Sequence, residues 1–309
     1  MIAFLPLPAF ILDLILKDPA SWPHPVRLIG NILLRLEKLA LQQKLLNLRT
    51  AGTIALGLLL LGLSTLLLTL TSLPLLGSLL ALYLAYAGLA LGSLLQSARQ
   101  VLAHLEMGCV QQARNDLAML VSRDTSNLEQ TDICRTLAET LSENFNDGFV
   151  APMFYLCLGG PVLLWLYKTV STVDSMWGYK HAHFQELGWA GARLDDILAW
   201  IPARLSAALI IAGAFFCALP WRKVWQHSRQ QAGLMESPNA GWPMAAAAWC
   251  LEAQMGGSTM YQGQLKKKPR LGPADSAWDI RRLRSLLRLL LVAGCLGALA
   301  GQLWAWFWF

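Results

Sequence analysis

Residues 51–98 read AGTIALGLLLLGLSTLLLTLTSLPLLGSLLALYLAYAGLALGSLLQSA, and not one of these 48 residues is charged. A single helix of that length would extend roughly 70 Å at about 1.5 Å per residue. This is more than twice the ~30 Å hydrocarbon thickness of a bilayer. The stretch is therefore predicted to form two membrane helices, near residues 53–71 and 75–95, joined by a turn at Ser72-Leu73-Pro74. Such a hairpin returns to its starting side, so the polar regions on either side of it should face one compartment.

The rest of the chain also has the composition of a membrane protein. Its 309 residues are 55% hydrophobic and 14% charged, with a mean hydropathy of +0.44, which departs from the soluble average toward membrane proteins. Four further apolar segments are predicted, the first being a short span or a re-entrant segment: residues 1–16, 148–167, 197–221 and 289–309. Gly159-Gly160-Pro161 and Pro202 should break the middle two.

The predicted fold class is all-α. It is a polytopic integral membrane protein with about four to six membrane segments, some broken or re-entrant, and helical cytoplasmic loops. A basic amphipathic helix at about residues 28–49 should lie at the inner membrane face. We expect a single membrane-embedded domain, residues 1–309.

Lysine and arginine predict the orientation of this domain. The polar regions 17–50, 99–147, 168–196 and 222–285 contain six, four, three and ten of them. By the positive-inside rule the first, second and fourth regions are cytoplasmic, which also explains the net charge of +6 without a nucleic-acid partner. If residues 148–167 and 197–221 each cross the membrane once, residues 168–196 lie on the side opposite the cytoplasm. They can face the cytoplasm if the two flanking segments are broken helices that form a cavity. We expect that cavity, with the polar regions 17–50, 99–147, 168–196 and 222–288 forming the active site.

Catalytic residues are expected in residues 122–152, SRDTSNLEQTDICRTLAETLSENFNDGFVAP. This stretch places acids, amides and arginines beside an apolar segment. A helix is predicted from Leu128, and the spacing of four puts Glu139 and Glu143 on one face, which Asn146 continues. A cation such as Mg²⁺ between these carboxylates would relieve their repulsion. A solvated acidic helix explains the same spacing.

Other polar regions are candidates for binding phosphate or other ligands. Residues 168–196 combine cations with carboxylates, although Asp195-Asp196 could instead serve helix-end electrostatics. Residues 237–243, SPNAGWP, are rich in turn formers in a region poor in charge, so this loop is predicted to be buried against the membrane or a large ligand. Residues 266–270, KKKPR, favour lipid headgroups over substrate phosphate.

Several common site classes lack a signature in this sequence. The six cysteines include no CxxC and no Cys/His pair at metal spacing, so neither a zinc site nor a disulfide framework is indicated. GxxxxGK[ST], GxGxxG and GxSxG are absent as well, which removes the sequence support for a P-loop ATPase, a Rossmann dehydrogenase and a serine hydrolase.

The order of short motifs along the chain resembles the cobinamide-phosphate synthases, the CbiB/CobD family. The motifs that carry the resemblance are Asp18-Pro19, His24-Pro25-Val26, Ser122-Arg123-Asp124-Thr125-Ser126, Glu139-Thr140-Leu141, Glu143-Asn144, Asp147-Gly148, Asp174-Ser175-Met176, Gly178-Tyr179-Lys180, Arg193, Asp195-Asp196, Pro202-Ala203-Arg204, Ser237-Pro238-Asn239-Ala240-Gly241-Trp242 and Gly256-Gly257. The chain departs from the family pattern at Lys17, Ser171, Met235-Glu236 and Met244.

The resemblance implies a multi-pass enzyme of the bacterial inner membrane. It would join the free carboxylate of adenosylcobyric acid to the amine of aminopropanol phosphate or ethanolamine phosphate, with ATP and Mg²⁺ as cofactors. The carboxylate must be activated, most simply as an acyl phosphate. Membrane lipids, a second copy of the chain, or other late cobalamin-assembly enzymes are its expected partners. A corrinoid-binding scaffold without catalysis, or a sensor like the β-lactamase-regulatory AmpE relatives, is the alternative.

The implied site comprises three sets of residues. Candidate catalytic groups are Asp124, Glu139, Glu143, Asp174 and Lys180. Candidate Mg²⁺ ligands are Glu139, Glu143 and Asp147, with Asp124 beside them. Candidate substrate- and phosphate-binding groups are His24, Arg123, Thr125, Ser126, Asn144, Lys168, Tyr179, Arg193, Ser237 and Asn239.

Overall fold

The computed structural model describes residues 2–19, 21–42, 45–178, 182–261 and 264–309. Most of these residues are helical, which confirms the all-α prediction, and a two-stranded sheet is added to the helices. The helices of the first half are α1 (Pro6–Leu16), α2 (Pro25–Gln42), α3 (Leu48–Thr71), α4 (Leu76–Ala87), α5 (Leu91–Glu106), α6 (Val110–Ala118) and α7 (Gln130–Phe145). Those of the second half, with the two strands, are α8 (Ala151–Trp177), α9 (Ala182–Leu187), α10 (Trp189–Leu198), α11 (Trp200–Phe216), α12 (Val224–Gln231), α13 (Gly241–Cys250), β1 (Met255–Tyr261), β2 (Gln264–Leu271) and α14 (Ile280–Trp308).

Several of these helices are long and apolar enough to cross a membrane. Within the described residues there are four such segments, or five if the bent pair α10–α11 is one span. The four are Leu48–Thr71, Leu76–Glu106, Gln130–Trp177 and Ile280–Trp308. The protein is thus a multi-pass membrane protein, as predicted.

Helices α3 and α4 form the predicted hairpin around Ser72-Leu73-Pro74. The α3 helix begins where the Asn47 side chain accepts a hydrogen bond from the Thr50 amide at 2.8 Å. Only 11% of its apolar stretch is buried within the protein. Hydroxyls along α3 donate to carbonyl oxygens of its own preceding turn, as Thr69 does to Thr65 at 2.8 Å. These hydroxyls are therefore satisfied locally, and α3 can face lipid.

Both middle apolar segments are broken, as predicted. In α8 the chain leaves helical geometry at Gly159 and at Gly160, whose φ of +66° lies in the region that favours glycine. The second break is a 44° bend between α10 and α11. Its position differs from the prediction, because Pro202 lies in the first turn of α11, where proline costs no helical hydrogen bond.

Three local expectations were wrong. The amphipathic helix α2 ends at Gln42, and Arg49 lies in α3 instead. Residues 168–177 continue α8 rather than forming a polar loop. The polar region 222–288 was expected to be helical, but Met255–Tyr261 and Gln264–Leu271 pair as antiparallel strands. A register shift between Met255 and Gly257 marks a bulge in β1.

The chain forms two compact units, each assembled from separate stretches of sequence. Unit 1 contains Met1–Ala90, Ala151–Ala199 and Ala298–Phe309. Unit 2 contains Leu91–Val150 and Trp200–Gly297. The single membrane-embedded domain stays a prediction.

Unit 1 includes a close approach between α3 and α9 at Gly52. A Cβ added there would lie 2.0 Å from the Leu187 carbonyl oxygen, whereas one at Gly57 would meet nothing within 4 Å. We expect Gly52→Ala to lower the free energy of unfolding by about 1–3 kcal/mol, because the backbone must move to relieve the overlap. Thermal unfolding of the detergent-solubilised chain measures this.

The matched control is Gly57→Ala, on the same helix. It should be neutral or stabilising by up to about 1 kcal/mol, since alanine has the better helix propensity. Equal melting temperatures for the two variants would contradict the close α3–α9 contact.

Unit 2 is built around α7 and α13. On α7, Leu137, Leu141 and Phe145 are completely buried. The α13 helix contacts α7 and α11, and it contains a run of completely buried alanines, residues 245–248. Small side chains let these helix backbones come close together, which fixes α7 as the scaffold for the polar groups described next.

Candidate functional site

A buried ion pair joins the loop before α7 to the middle of that helix. Arg123 Nη2 donates to Glu139 Oε2 at 2.8 Å, and Arg123 Nη1 donates to Thr136 Oγ1 at 3.3 Å. The two charged side chains are only 5% and 2% exposed. Charges this deeply buried require partners for their polar atoms, so each side chain holds the other in place.

The second oxygen of Glu139 fixes the β-hairpin. Glu139 Oε1 accepts a hydrogen bond from the Gly256 amide at 2.7 Å. Gly256 lies in the bulge of β1 with φ of +86°, and a Cβ there would lie 1.9 Å from the Pro269 carbonyl oxygen, so only glycine fits. One carboxylate therefore ties α7, the 122–126 loop and the hairpin together.

These contacts give three of the predicted site residues a structural role. Glu139 was expected to hold Mg²⁺ and Arg123 to bind phosphate. In this structure the two side chains bind each other, and their metal and phosphate roles stay predictions. Thr125 was expected to contact substrate, and it is also buried, with Oγ1 donating to the Arg114 carbonyl at 3.1 Å. All three also support the structure of unit 2 through these contacts.

Glu143 lies one turn beyond Glu139 and is exposed. Its electrostatic neighbours are Lys268 on β2, Glu139 and Arg123. A further cation, Arg135, is one turn before Glu139, with Nη2 2.8 Å from Asp132 Oδ1 and Nε 3.9 Å from Glu139 Oε1. An accessible carboxylate thus lies in the field of cations that the buried pair and the hairpin position.

Asp124 and Ser126 form a tight turn beside this cluster. Asp124 Oδ1 accepts hydrogen bonds from the Ser126 hydroxyl at 2.6 Å and the Ser126 amide at 2.9 Å. These bonds, the hydroxyl's first, hold the pKa of Asp124 below its usual value, so Asp124 is a stable anion at neutral pH. The Asp124 amide donates to the Met260 carbonyl at 3.2 Å, which binds the turn to β1.

The amides and the last predicted metal ligand lie at the end of α7. Asn146 Nδ2 donates to Asp147 Oδ1 at 2.7 Å, while Asn146 Oδ1 accepts from Ser206 Oγ at 2.9 Å. Asn144 is half-buried. Within the described ranges, no group of three or more His, Cys, Asp or Glu side chains could hold a metal ion. A site made of three protein carboxylates is therefore not formed by Glu139, Glu143 and Asp147.

The SPN loop closes the start of α13. Ser237 Oγ accepts hydrogen bonds from the amides of Asn239 at 3.2 Å and Ala240 at 3.3 Å. Asn239 is 5% exposed. Gly241 and Pro243 are buried as well, whereas Pro238 is exposed, so burial of the whole loop against the membrane or a large ligand stays a prediction. Ser237 stabilises the turn itself, and a role in substrate binding stays a prediction for Ser237 and Asn239.

In unit 1, His24 lies in the loop before α2. Its Nδ1 accepts a hydrogen bond from the Val26 amide at 3.3 Å, which leaves Nε2 to carry the proton, 3.4 Å from Asp18 Oδ1. The ring packs edge-on against Trp165 on α8. Trp165 is held by a 2.9 Å hydrogen bond from Nε1 to the Leu84 carbonyl.

The other predicted residues of unit 1 lie on α8 and α10. Asp174 on α8 and Asp196 on α10 are half-buried electrostatic neighbours, and Arg193 is exposed beside Asp196. Lys168 is also half-buried on α8. Tyr179 and Lys180 lie outside the residues that the structure describes.

The predicted site residues thus divide between the units. Unit 2 holds Arg123, Asp124, Thr125, Ser126, Glu139, Glu143, Asn144, Asp147, Ser237 and Asn239. Unit 1 holds His24, Lys168, Asp174 and Arg193. A shared site for the two groups stays a prediction.

Two cations of unit 2 were not predicted as site residues. The spacing of four between Arg135 and Glu139 could have indicated the first. The second, Lys268, was assigned with its neighbours to lipid, although Lys268 lies opposite Gly257 in the hairpin and near Glu143. Its neighbour Lys266 pairs with Glu236 at 3.0 Å. The sequence signal for Lys268 was its position in a polar segment that follows Gly256-Gly257.

Comparison with known proteins identifies the family of this chain. The family model described as CobD/Cbib protein matches residues 6–290. The chain is similar to the cobalamin biosynthesis protein CobD of Klebsiella pneumoniae, with 36% identity covering 93% of this chain and 92% of that relative. The CobD of Pelobacter propionicus is 38% identical over 91% and 88% of the two chains. No solved structure matches. A match over nearly the whole length, by the family model and by these relatives, shows that the chain belongs to the CobD/CbiB family of cobalamin-biosynthesis proteins.

Proposed function

We propose that the protein is an adenosylcobinamide-phosphate synthase of the bacterial inner membrane. It would join adenosylcobyric acid to aminopropanol phosphate, or ethanolamine phosphate, through an amide bond, with ATP and Mg²⁺. The enzyme class is then an ATP-dependent carbon–nitrogen ligase. The observation that carries this proposal is the exposed Glu143 carboxylate beside Lys268, on a support fixed by Arg123 and Glu139, in a chain of a cobalamin-biosynthesis family.

The reaction requires this combination of charges. The amine substrate arrives as an ammonium ion that carries a phosphate, so its site needs a cation for one end and a carboxylate for the other. Lys268 and Arg135 suit the phosphate. Glu143 suits the ammonium group and would take a proton from it, so that the free amine attacks the carbonyl carbon of the acyl phosphate and inorganic phosphate leaves as the amide bond forms.

The residues also fit nucleotide-bound Mg²⁺ better than a metal site made by protein alone. Mg²⁺ at phosphate-transfer sites is held by one or two carboxylates together with the phosphates. Glu143 and Asp147 remain candidates for such a role, while Glu139 would have to release Arg123 or Gly256 to join them. Bound ATP would supply the phosphoryl group that activates the corrinoid carboxylate.

The remaining residues have supporting roles in this proposal. Asp124 keeps its charge through Ser126 and holds the loop before α7 against β1. In unit 1, Lys168, Arg193 and Asp174 remain candidates for phosphate or corrinoid recognition. The other late cobalamin-assembly enzymes, or a second copy of the chain, remain proposed partners.

The deciding experiment supplies purified full-length protein with adenosylcobyric acid, aminopropanol phosphate, ATP and Mg²⁺. We expect adenosylcobinamide phosphate to form, detected by mass spectrometry, with nucleotide consumed in equal amount. Product must be absent when either organic substrate is omitted. Ethanolamine phosphate in a parallel reaction compares the two amines.

One result would refute the ligase assignment directly. If the protein binds corrinoid tightly and consumes no nucleotide in the presence of both organic substrates, a scaffold or sensor replaces the enzyme.

A further inference from the structure

Unit 2 contains a cavity of about 410 Å³ that shares no residue with the Glu143 cluster. Its volume is in the range of sites for small molecules. The lining comes from the turn before α12, from α12, from the end of α13 and the residues after it, from the segment between β2 and α14, and from the start of α14. The lining residues are Pro220, Arg222, Lys223, Val224, His227, Trp249, Glu252, Pro273, Ser276 and Arg282.

Positive charge dominates this lining. Arg222, Lys223 and Arg282 are its basic side chains, and Glu252 is the one carboxylate among the described lining residues. Asp279 is nearby, 3.9 Å from Arg282 Nη1, and offsets part of the Arg282 charge. The lining thus keeps a net positive charge after both carboxylates are counted, which favours an anionic ligand.

The backbone adds to the positive field. Helix α12 begins at Val224, and Lys223, the residue before it, provides no side-chain acceptor for the first amides of the helix. The Val224 amide donates to the Trp221 carbonyl at 3.4 Å. The helix dipole still makes the amino end of α12 attractive to anions. Both Lys223 and Val224 line the cavity, so this end of α12 belongs to its wall.

One wall of the cavity is aromatic and rigid. The rings of His227 and Trp249 stack with centroids 4.0 Å apart and an angle of 13° between their planes. Trp249 Nε1 donates to Gln231 Oε1 at 2.9 Å, and the same oxygen accepts from the Gly272 amide at 2.8 Å. This wall can pack against the organic part of a ligand whose charged part meets the cations.

We propose that this cavity binds a phosphate group attached to a small organic moiety. Two sources share that chemistry. One is an anionic phospholipid headgroup, since the cavity follows the apolar helix α11 by only a few residues. The other is a soluble phosphate ester. The proposal concerns binding at this cavity and does not depend on the ligase reaction.

The test compares binding by full-length protein and two variants. The probes are glycerol 3-phosphate, added to detergent-solubilised protein and measured by calorimetry, and phosphatidylglycerol, measured as lipid retained in native mass spectrometry. Lys223→Asn removes one cation, and asparagine tolerates the left-handed backbone at this position, where φ is 64°, so folding should be preserved. The double variant Arg222→Gln/Arg282→Gln removes the other two cations.

Each variant should bind at least one probe about tenfold more weakly than the unchanged protein, the effect of losing one hydrogen bond to a charged group. Loss of glycerol 3-phosphate binding identifies a soluble ester, and loss of phosphatidylglycerol alone identifies the lipid. The control is Arg229→Gln, which removes an exposed cation of α12 outside the cavity and should change binding less than about twofold.

Three results would overturn the proposal: neither probe binds the unchanged protein, Lys223→Asn binds as well as the unchanged protein, or Arg229→Gln loses as much affinity as Lys223→Asn. If the double variant does not fold, Lys223→Asn decides alone.

Discussion

Glu139→Gln is expected to lower the free energy of unfolding by about 3–5 kcal/mol, because it leaves the Arg123 charge buried without its counter-ion. The pair is almost completely removed from solvent, and the same carboxylate holds the Gly256 amide. Unfolding of the detergent-solubilised protein by sodium dodecyl sulfate, followed by tryptophan fluorescence, measures the loss.

The chain offers a matched control for this change. Arg284 and Glu106 form another arginine–glutamate pair at 2.6 Å, with side chains 65% and 37% exposed. Glu106→Gln should cost no more than about 1 kcal/mol, since water already screens that pair. Replacing both buried partners, in Arg123→Met/Glu139→Leu, should restore much of the stability lost in Glu139→Gln. Similar costs for Glu139→Gln and Glu106→Gln would show that burial does not set the strength of the Arg123 pair.

The second large effect concerns turnover. Under the proposed function, Glu143→Gln should lower kcat by about 10²–10⁴-fold, because glutamine cannot accept the proton released by the attacking amine. Stability should change little, since the Glu143 side chain is exposed. The measurement is product formation at saturating concentrations of both organic substrates, together with the unfolding transition of the same preparation.

Glu129→Gln is the control for charge loss at an exposed position, at the beginning of α7. It should leave kcat within about twofold of the unchanged protein. A Glu143→Gln enzyme with raised KM and normal kcat would place Glu143 in substrate binding and remove it from proton transfer.

Much of the fold could be predicted because lipid imposes simple rules. The absence of charge over residues 51–98 required two spans, and the structure places the hairpin turn at the predicted proline. The break in α8 followed from Gly159-Gly160-Pro161, which cannot continue a regular helix. Helix ends were less predictable. Residues 168–177 contain polar groups, yet they continue α8 because Thr169, Val170 and Val173 are buried.

The hairpin and the ion pair could not be derived from spacing. Periodicity describes one element at a time, whereas β1 is held in place by a carboxylate of α7 that is 117 residues away. The spacing of Glu139 and Glu143 correctly placed both on α7. It could not show that Arg123 and Gly256 would bury the first carboxylate and leave the second exposed.

Unit 1 combines segments from the beginning and the end of the sequence, and this constrains the order of folding during translation. The Gln302 side chain donates a hydrogen bond to the Ala3 carbonyl and accepts one from the Leu7 amide at 3.1 Å. Leu7 and Gln302 are 295 residues apart in the sequence. At 5–20 residues per second, about 15–60 s of translation separate these two partners. The amino-terminal segment must therefore wait for the final helix to leave the ribosome before its native contacts are complete.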